Sequence, residues 1–205
     1  MNRKTQSFLV SALVLTSVSF CCLIGSEIFV RYVIDDGMEY NLEMWKYARK
    51  LKRVSEDSRQ GHKHIPNRSA HLMGVNVAIN SHGHRNKETT INKPPQTTRL
   101  VMLGDSLTFG WGVPLENTVS ERLETLLNEG SHDKRFEVIN AGIGNTNTEM
   151  QVARFLADEV KFSPDIVILN YFINDAELIP RPNKNIFMKY SASYVFFFIT
   201  DGKYW

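Results

Sequence analysis

Three short stretches in the second half of the chain end apolar runs in residues that can do chemistry. They are Gly104-Asp105-Ser106-Leu107-Thr108-Phe109-Gly110, Asn140-Ala141-Gly142-Ile143-Gly144-Asn145 and Tyr171-Phe172-Ile173-Asn174-Asp175. A serine hydroxyl is a poor nucleophile until a base takes its proton. Attack on an acyl carbon also needs N–H donors aimed at the oxyanion that forms. At a strand-to-helix turn, Ser106 offers both a hydroxyl and a backbone amide. The Gly142–Asn145 turn offers unhindered amides, and Asn174 offers a carboxamide N–H. A nucleophile with three donors is the equipment of acyl transfer. Each stretch alone has a plainer use: a Gly-Asp-Ser turn, ordinary turn glycines, or an Asn-Asp helix cap. The weight lies in all three ending strands of one sheet.

The elements that must position these groups follow from periodicity. Strands are predicted at about 99–104, 136–141 and 165–171. A helix is predicted over about 118–129, with Asn117 as its cap and Gly130 as its stop, and a second over about 147–161. Strands alternating with helices predict an α/β fold with a parallel sheet covered on both faces by right-handed crossovers. Continuous apolar runs in the first and third strands fit burial on both sides. Ser106 then sits at the carboxyl edge, where open α/β sheets hold ligands. Residues 176–189 read as a polar excursion. The run from Ser191 to Thr200 is too short to span a bilayer, and its length does not decide between strand and helix.

The amino-terminal part has a different character. Arg3 and Lys4 precede an apolar run from Phe8 to Gly25 that resumes at Ile28-Phe29-Val30. That approaches the ~20 residues of a membrane-spanning helix and predicts a signal anchor with a cytoplasmic amino end, although Arg49, Lys50, Lys52 and Arg53 beyond it blur the charge asymmetry. A cleaved signal peptide ranks second, since no Ala-x-Ala site follows. A lipid-modified cysteine is disfavoured by Phe20 before Cys21. Residues 40–56 read as a basic amphipathic helix, packing either on anionic lipid or on its own domain. Residues 57–70 read as a linker, and Val75–Ile79 as a strand turned by Asn80-Ser81-His82-Gly83. The organisation expected is a stub and anchor at 1–34, a juxtamembrane helix, linker and lead-in at 35–97, and an α/β domain at 98–205.

Composition narrows the function classes. A formal net charge of +2 over 205 residues gives no case for nucleic acid as a partner. The only cysteines, Cys21 and Cys22, are adjacent within the apolar run, which excludes a disulfide framework. His62-x-His64 and His82-Gly83-His84 lack the carboxylates or thiols of a complete ligand set, so no metal is expected. The glycine-rich turns lack phosphate-binding spacings, so no cofactor is expected.

Taken together, the three stretches resemble the first, second and third blocks of the SGNH hydrolases, the GDSL-type lipases and esterases. The similarity covers about residues 98–180, and Val77–Arg85 looks like the lead-in of membrane-anchored bacterial members. The resemblance implies a flavodoxin-like three-layer sandwich and hydrolysis of esters. By it Ser106 is the nucleophile, and its amide, the second-block glycine and Asn174 form the oxyanion hole, with Gly104, Asp105 and Asp175 in support. Two departures stand out. Phe172 replaces a glycine of the third block. The register that aligns Asn140 and Ala141 puts Asn145, not Gly144, on the second-block glycine, so both remain candidates; asparagine tolerates left-handed geometry. The family's Asp-x-x-His, which carries the base, has no counterpart after Asn174, where the chain holds no histidine. That predicts a chain truncated after its third core strand, with weak or no turnover and an exposed apolar sheet edge. The expected activity is therefore that of a membrane-tethered serine esterase or deacetylase with its domain outside the cytoplasm. The alternatives are an O-acyltransferase acting on a surface polysaccharide and a non-catalytic tethered scaffold.

Overall fold

The computed structural model describes residues 2–131, 133–176, 178 and 185–199, Asn174 by its backbone alone. Helix α1 spans Arg3–Phe29, with the Asn2 side chain accepting from the Lys4 amide at its start. It buries none of its side chains. A π-helical turn, Val30–Ile34, extends it. The whole is long and apolar enough to cross a membrane, a property that a signal sequence shares.

Helix α2, Tyr40–Leu51, begins where the Glu39 carboxylate accepts from the Leu42 amide at 2.7 Å. It stops at Leu51, short of the expected residue 56, because Lys52–Val54 (β1) pairs antiparallel with His62–His64 (β2). A residue cannot serve a helix and a strand ladder at once. Leu42, Trp45, Tyr47, Ala48 and Leu51 are buried in a core shared with Leu72, Val77, Phe109 and Val195, so this face packs on the protein itself. Residues 57–70, read from sequence as a linker, carry β2 and the start of a second hairpin. That hairpin pairs Ser69–Leu72 (β3) with Val75–Ala78 (β4). The strand expected at 75–79 is present.

The mixed α/β part is built on a three-stranded parallel sheet in the order β6-β5-β7. Its strands are Thr97–Leu103 (β5), Arg135–Asn140 (β6) and Ile166–Leu169 (β7). The central strand β5 alternates its burial between two layers. Val101 and Leu103 join Ile139, Ala141, Phe155 and Phe162 on one face. Leu100 and Met102 join Val138, Leu123 and Leu127 on the other. The four-residue helix α3, Ser106–Phe109, follows β5 directly. Helix α4 is Val119–Glu129; its cap is Thr118, whose hydroxyl accepts from the Glu121 amide, and not Asn117. Helix α5, Thr148–Arg154, is capped by Asn147 and runs on as a π turn and a 3₁₀ turn to Phe162.

Full cover holds for β5 and fails for β7. Ile166, Val167 and Leu169 are each more than 40% exposed, and no strand lies on the outer side of β7 among the described residues. The predicted excursion contains a short helix, α6, Ile186–Tyr190, and Ala192–Phe198 (α7) resolves the strand-or-helix ambiguity in favour of a helix. The start of α7 is satisfied by Ser191 and by the carboxylate of Glu27, which accepts from the Ala192 and Ser193 amides. Trp45 Nε1 donates to the Met188 carbonyl at 2.7 Å, tying α6 to α2.

Candidate active site

Ser106 stands where β5 ends and α3 begins, half-buried. The turn is tight enough to dictate its residues. A Cβ on Gly104 would lie 2.0 Å from Thr108 Oγ1, so nothing larger than glycine fits. Asp105, 1% exposed, caps α3 by accepting from the Leu107 amide at 2.9 Å. Asn170, just past β7, donates to Thr108 Oγ1 at 3.0 Å and ties the third strand end to the first. Gly110 closes α3 at φ +85°. The fully buried Arg85 guanidinium then pins the following loop through the carbonyls of Phe109, Gly110 and Val113.

The second stretch lies against the first. Ile143 N–H donates to Gly104 O at 3.1 Å. A Cβ on Gly142 would meet Phe109 N at 2.3 Å, so the turn rests on the backbone of α3. An ideal Cβ on Gly144 would be 3.6 Å from Ser106 Cβ and 3.0 Å from Tyr47 Cε1, which places the Gly144 peptide between the serine and the tyrosine ring. Asn145 adopts φ +62°, and its buried Nδ2 has no hydrogen-bond partner among the described residues. In the third stretch the side chain of Asn174 lies outside the described residues; its backbone is in a 3₁₀ turn, Ile173–Ala176. Asp175 is buried and fastens this turn, accepting from Gln151 Nε2 and from the Phe172 amide, each at 2.7 Å.

Residues from the segment after α1 reach this site, and sequence reasoning did not assign them to it. Gly144 N–H donates to the Tyr47 hydroxyl at 3.1 Å, and that hydroxyl lies 2.7 Å from His64 Nε2. His64 Nδ1 faces the Gly83 carbonyl at 3.0 Å. A carbonyl only accepts, so Nδ1 carries the proton. Burial, with Arg154 adding to it, pushes the His64 pKa well down and keeps the ring neutral. Nε2 is then an acceptor and Tyr47 donates to it. The chain of donors runs in one direction, from Gly144 through Tyr47 to His64. Burial raises the Tyr47 pKa, which keeps the phenol protonated. On the other side of the same peptide, Lys52 Nζ donates to Gly144 O at 2.9 Å, and His62 Nε2 lies 3.2 Å from that oxygen. Burial drives the Lys52 pKa well below its usual range, and burial with Lys52 close by does the same to His62.

The second turn also rests on a buried ionic chain. His84 Nε2 is 2.6 Å from Glu159, Arg154 is 3.0 Å from the other Glu159 oxygen, and Arg154 donates to Ala141 O at 2.9 Å. Burial alone would raise the Glu159 carboxyl, but His84 and Arg154 beside it hold it at about 2. These contacts engage the described histidines elsewhere. His62 and His64 serve the Gly144 peptide, His71 pairs with Asn76, His82 packs edge-on against Phe162, and His84 binds Glu159. Among the described residues, no histidine hydrogen-bonds to Ser106 and no cluster of three metal-ligating side chains forms. The His62-x-His64 alternation puts both rings on one face of a strand, without indicating what they meet.

The described site is thus a serine at the carboxyl end of the central strand of a parallel sheet, with a glycine turn and a carboxylate-fastened turn beside it. Residues 102–188 match the sequence model of the GDSL-like Lipase/Acylhydrolase family. The match takes in Ser106, the Asn140–Asn145 turn and Asn174-Asp175. The general activity of that family is hydrolysis of ester bonds. No curated protein matches the chain.

Proposed function

We propose that this chain is a serine hydrolase of ester bonds with Ser106 as nucleophile. The observation that carries the reading is the packing of the Gly144–Asn145 peptide against Ser106 at the end of the central strand. Of the two second-stretch candidates, we favour Asn145 as the oxyanion donor. The Gly144 N–H is engaged by Tyr47, while the amides of Ser106 and Asn145 have no acceptor among the described residues. We assign the third donor to Asn174, which lies within the matched residues 102–188. Gly104, Asp105 and Asp175 support the site by shaping and fastening its turns. The strand order β6-β5-β7 fits a flavodoxin-like doubly wound sheet, with the crevice between the ends of β5 and β7 as the substrate site.

The exposed, apolar α1 supports retention as a single-pass anchor over 1–34, with residues 35–97 and 98–205 outside the cytoplasm. Because the described histidines are engaged elsewhere, turnover by this chain is slow. An oxyanion hole and binding alone leave roughly a thousandfold or somewhat more over water. The same observation favours, as a second reading, a tethered scaffold that keeps the fold without the chemistry.

A fluorophosphonate probe on the full chain in detergent separates the two. Labelling that disappears in Ser106→Ala supports the hydrolase. No labelling of a folded sample refutes it and leaves the scaffold.

A further inference from the structure

The far end of the apolar helix opens onto a cleft that the ester chemistry does not use. Its volume is about 270 Å³, and it is lined by Arg31, Asp35, Trp45, Lys46, Arg49 and Lys50, with Ala192 at its edge. Two guanidinium groups flank one indole: Arg49 lies 4.8 Å and Arg31 5.8 Å from the Trp45 ring. The charges are not equally engaged. Arg31 is held by Glu27, and Lys46 is shared between Asp35 and Glu43. Arg49 and Lys50 form no ion pair among the described residues. Arg49 is instead kept in place by the Trp45 and Tyr190 rings, so its fork of donors is oriented before any ligand arrives.

Position supplies the ligand class. Helix α1 is 27 residues long, or ~40 Å at 1.5 Å per residue. That is about the thickness of a bilayer including its headgroups. With Arg3 and Lys4 at one headgroup level, Arg31 and the cleft stand at the other. An aromatic ring beside cations at that depth is the composition of an interfacial site. A guanidinium fork matches the paired oxygens of a phosphate.

We propose that this cleft binds the phosphodiester of an anionic glycerophospholipid, with Arg49 and Lys50 as its principal contacts. The proposal rests on the reading of α1 as a membrane anchor. The test uses the full chain in lipid nanodiscs of equal phosphatidylglycerol and phosphatidylcholine, with the retained lipid identified by native mass spectrometry. Flotation with pure phosphatidylcholine vesicles serves as the control for anchoring. Preferential retention of phosphatidylglycerol is expected, falling about fivefold for Lys50→Gln and further for Arg49→Gln with Lys50→Gln. Both side chains are exposed, so the fold survives these changes, as circular dichroism would verify. Equal retention of the two lipids, or no effect of either variant, overturns the proposal while leaving the anchor intact. Displacement of phosphatidylglycerol by millimolar inorganic phosphate assigns the cleft to free phosphate and overturns the lipid source. Failure of the chain to float removes the anchor reading and the proposal with it.

Discussion

Glu159→Gln tests how the second turn is held. Glu159 is 1% exposed and carries both His84 and Arg154, which in turn holds Ala141 O. Its carboxyl sits at about 2, against an ordinary value of 4.5. At 1.36 kcal/mol per pH unit, the difference is about 3 kcal/mol of stability at neutral pH. Breaking one side of a buried ion pair gives a similar figure, ~3–5 kcal/mol. The sign follows from the depressed value. The contribution is complete above pH 4.5 and is lost as pH falls from 4.5 toward 2. Glutamine keeps the shape but leaves Arg154 without a counter-charge. Urea denaturation of the full chain in detergent at pH 7 should therefore show a loss of about 3 kcal/mol. Between pH 4.5 and 3 the variant should lose stability less steeply than the natural chain. A loss below about 1 kcal/mol, or equal acid slopes for both proteins, would refute the account of Glu159 as the ionic centre of this turn.

Three further outcomes follow from the same geometry. Gly142→Ala puts a Cβ 2.3 Å from Phe109 N and 2.7 Å from Thr108 C. Because these are backbone atoms, overpacking should destabilise by ~1–3 kcal/mol or more. Gly130→Ala, which meets only ordinary contacts, should not, and equal melting temperatures for the two would count against the packing described. Tyr47→Phe leaves the Gly144 N–H and His64 Nε2 without their partner, at a cost of ~1–3 kcal/mol for each orphaned group. Hydrogen exchange at the Gly144 amide should rise, and unchanged protection there would contradict the donor chain. His62 and His64 are buried with pKa values pushed below 6.5. Their neutrality stabilises fully above that value and is lost as pH falls through and below it. The melting temperature should drop between pH 7.5 and 5.5, where Glu159 stays ionised, and a flat profile would argue that these rings are not buried neutral.

Much of the α/β framework was legible because its signals are local. Continuous apolar runs gave β5 and β7 within a few residues, the mixed run Phe136–Ala141 gave β6, and the small residues after them gave the turns. The cap of α4 was missed by one position, since Asn117 and Thr118 are both good capping residues and only the path of the backbone decides between them. The hairpins in 52–78 were less visible. Polar strands such as His62–His64 alternate in burial but show no apolar/polar alternation, because their inward side chains are polar and meet other polar groups. For the same reason the parts of the site contributed by Tyr47, Lys52 and His64 were out of reach. Their partners are separated from them by 17 to 97 residues, and no spacing rule connects such positions. Arg85 was hinted at by the lead-in segment, although its task of gathering three carbonyls after Ser106 appears only in three dimensions. The letters of β7 alone did not show its exposure, since an apolar strand reads the same whether or not it is covered; the exposed apolar sheet edge was expected from the absence of a fourth family block after Asn174.

The contacts of Glu27, Arg31 and Trp45 with residues 188–193 span 143 to 166 positions of sequence. They bear on the order of assembly. During synthesis the early helices emerge long before the strands and helices that complete them. The Trp45 indole N–H then waits for an acceptor, and the Glu27 carboxylate for donors, made more than 140 residues later. Contacts of such long range are slow to form, so the joining of α1 and α2 to residues 188–193 is expected to be a late step. A nascent chain halted before residue 188 would hold its parallel sheet and hairpins with the juncture at Glu27 still open.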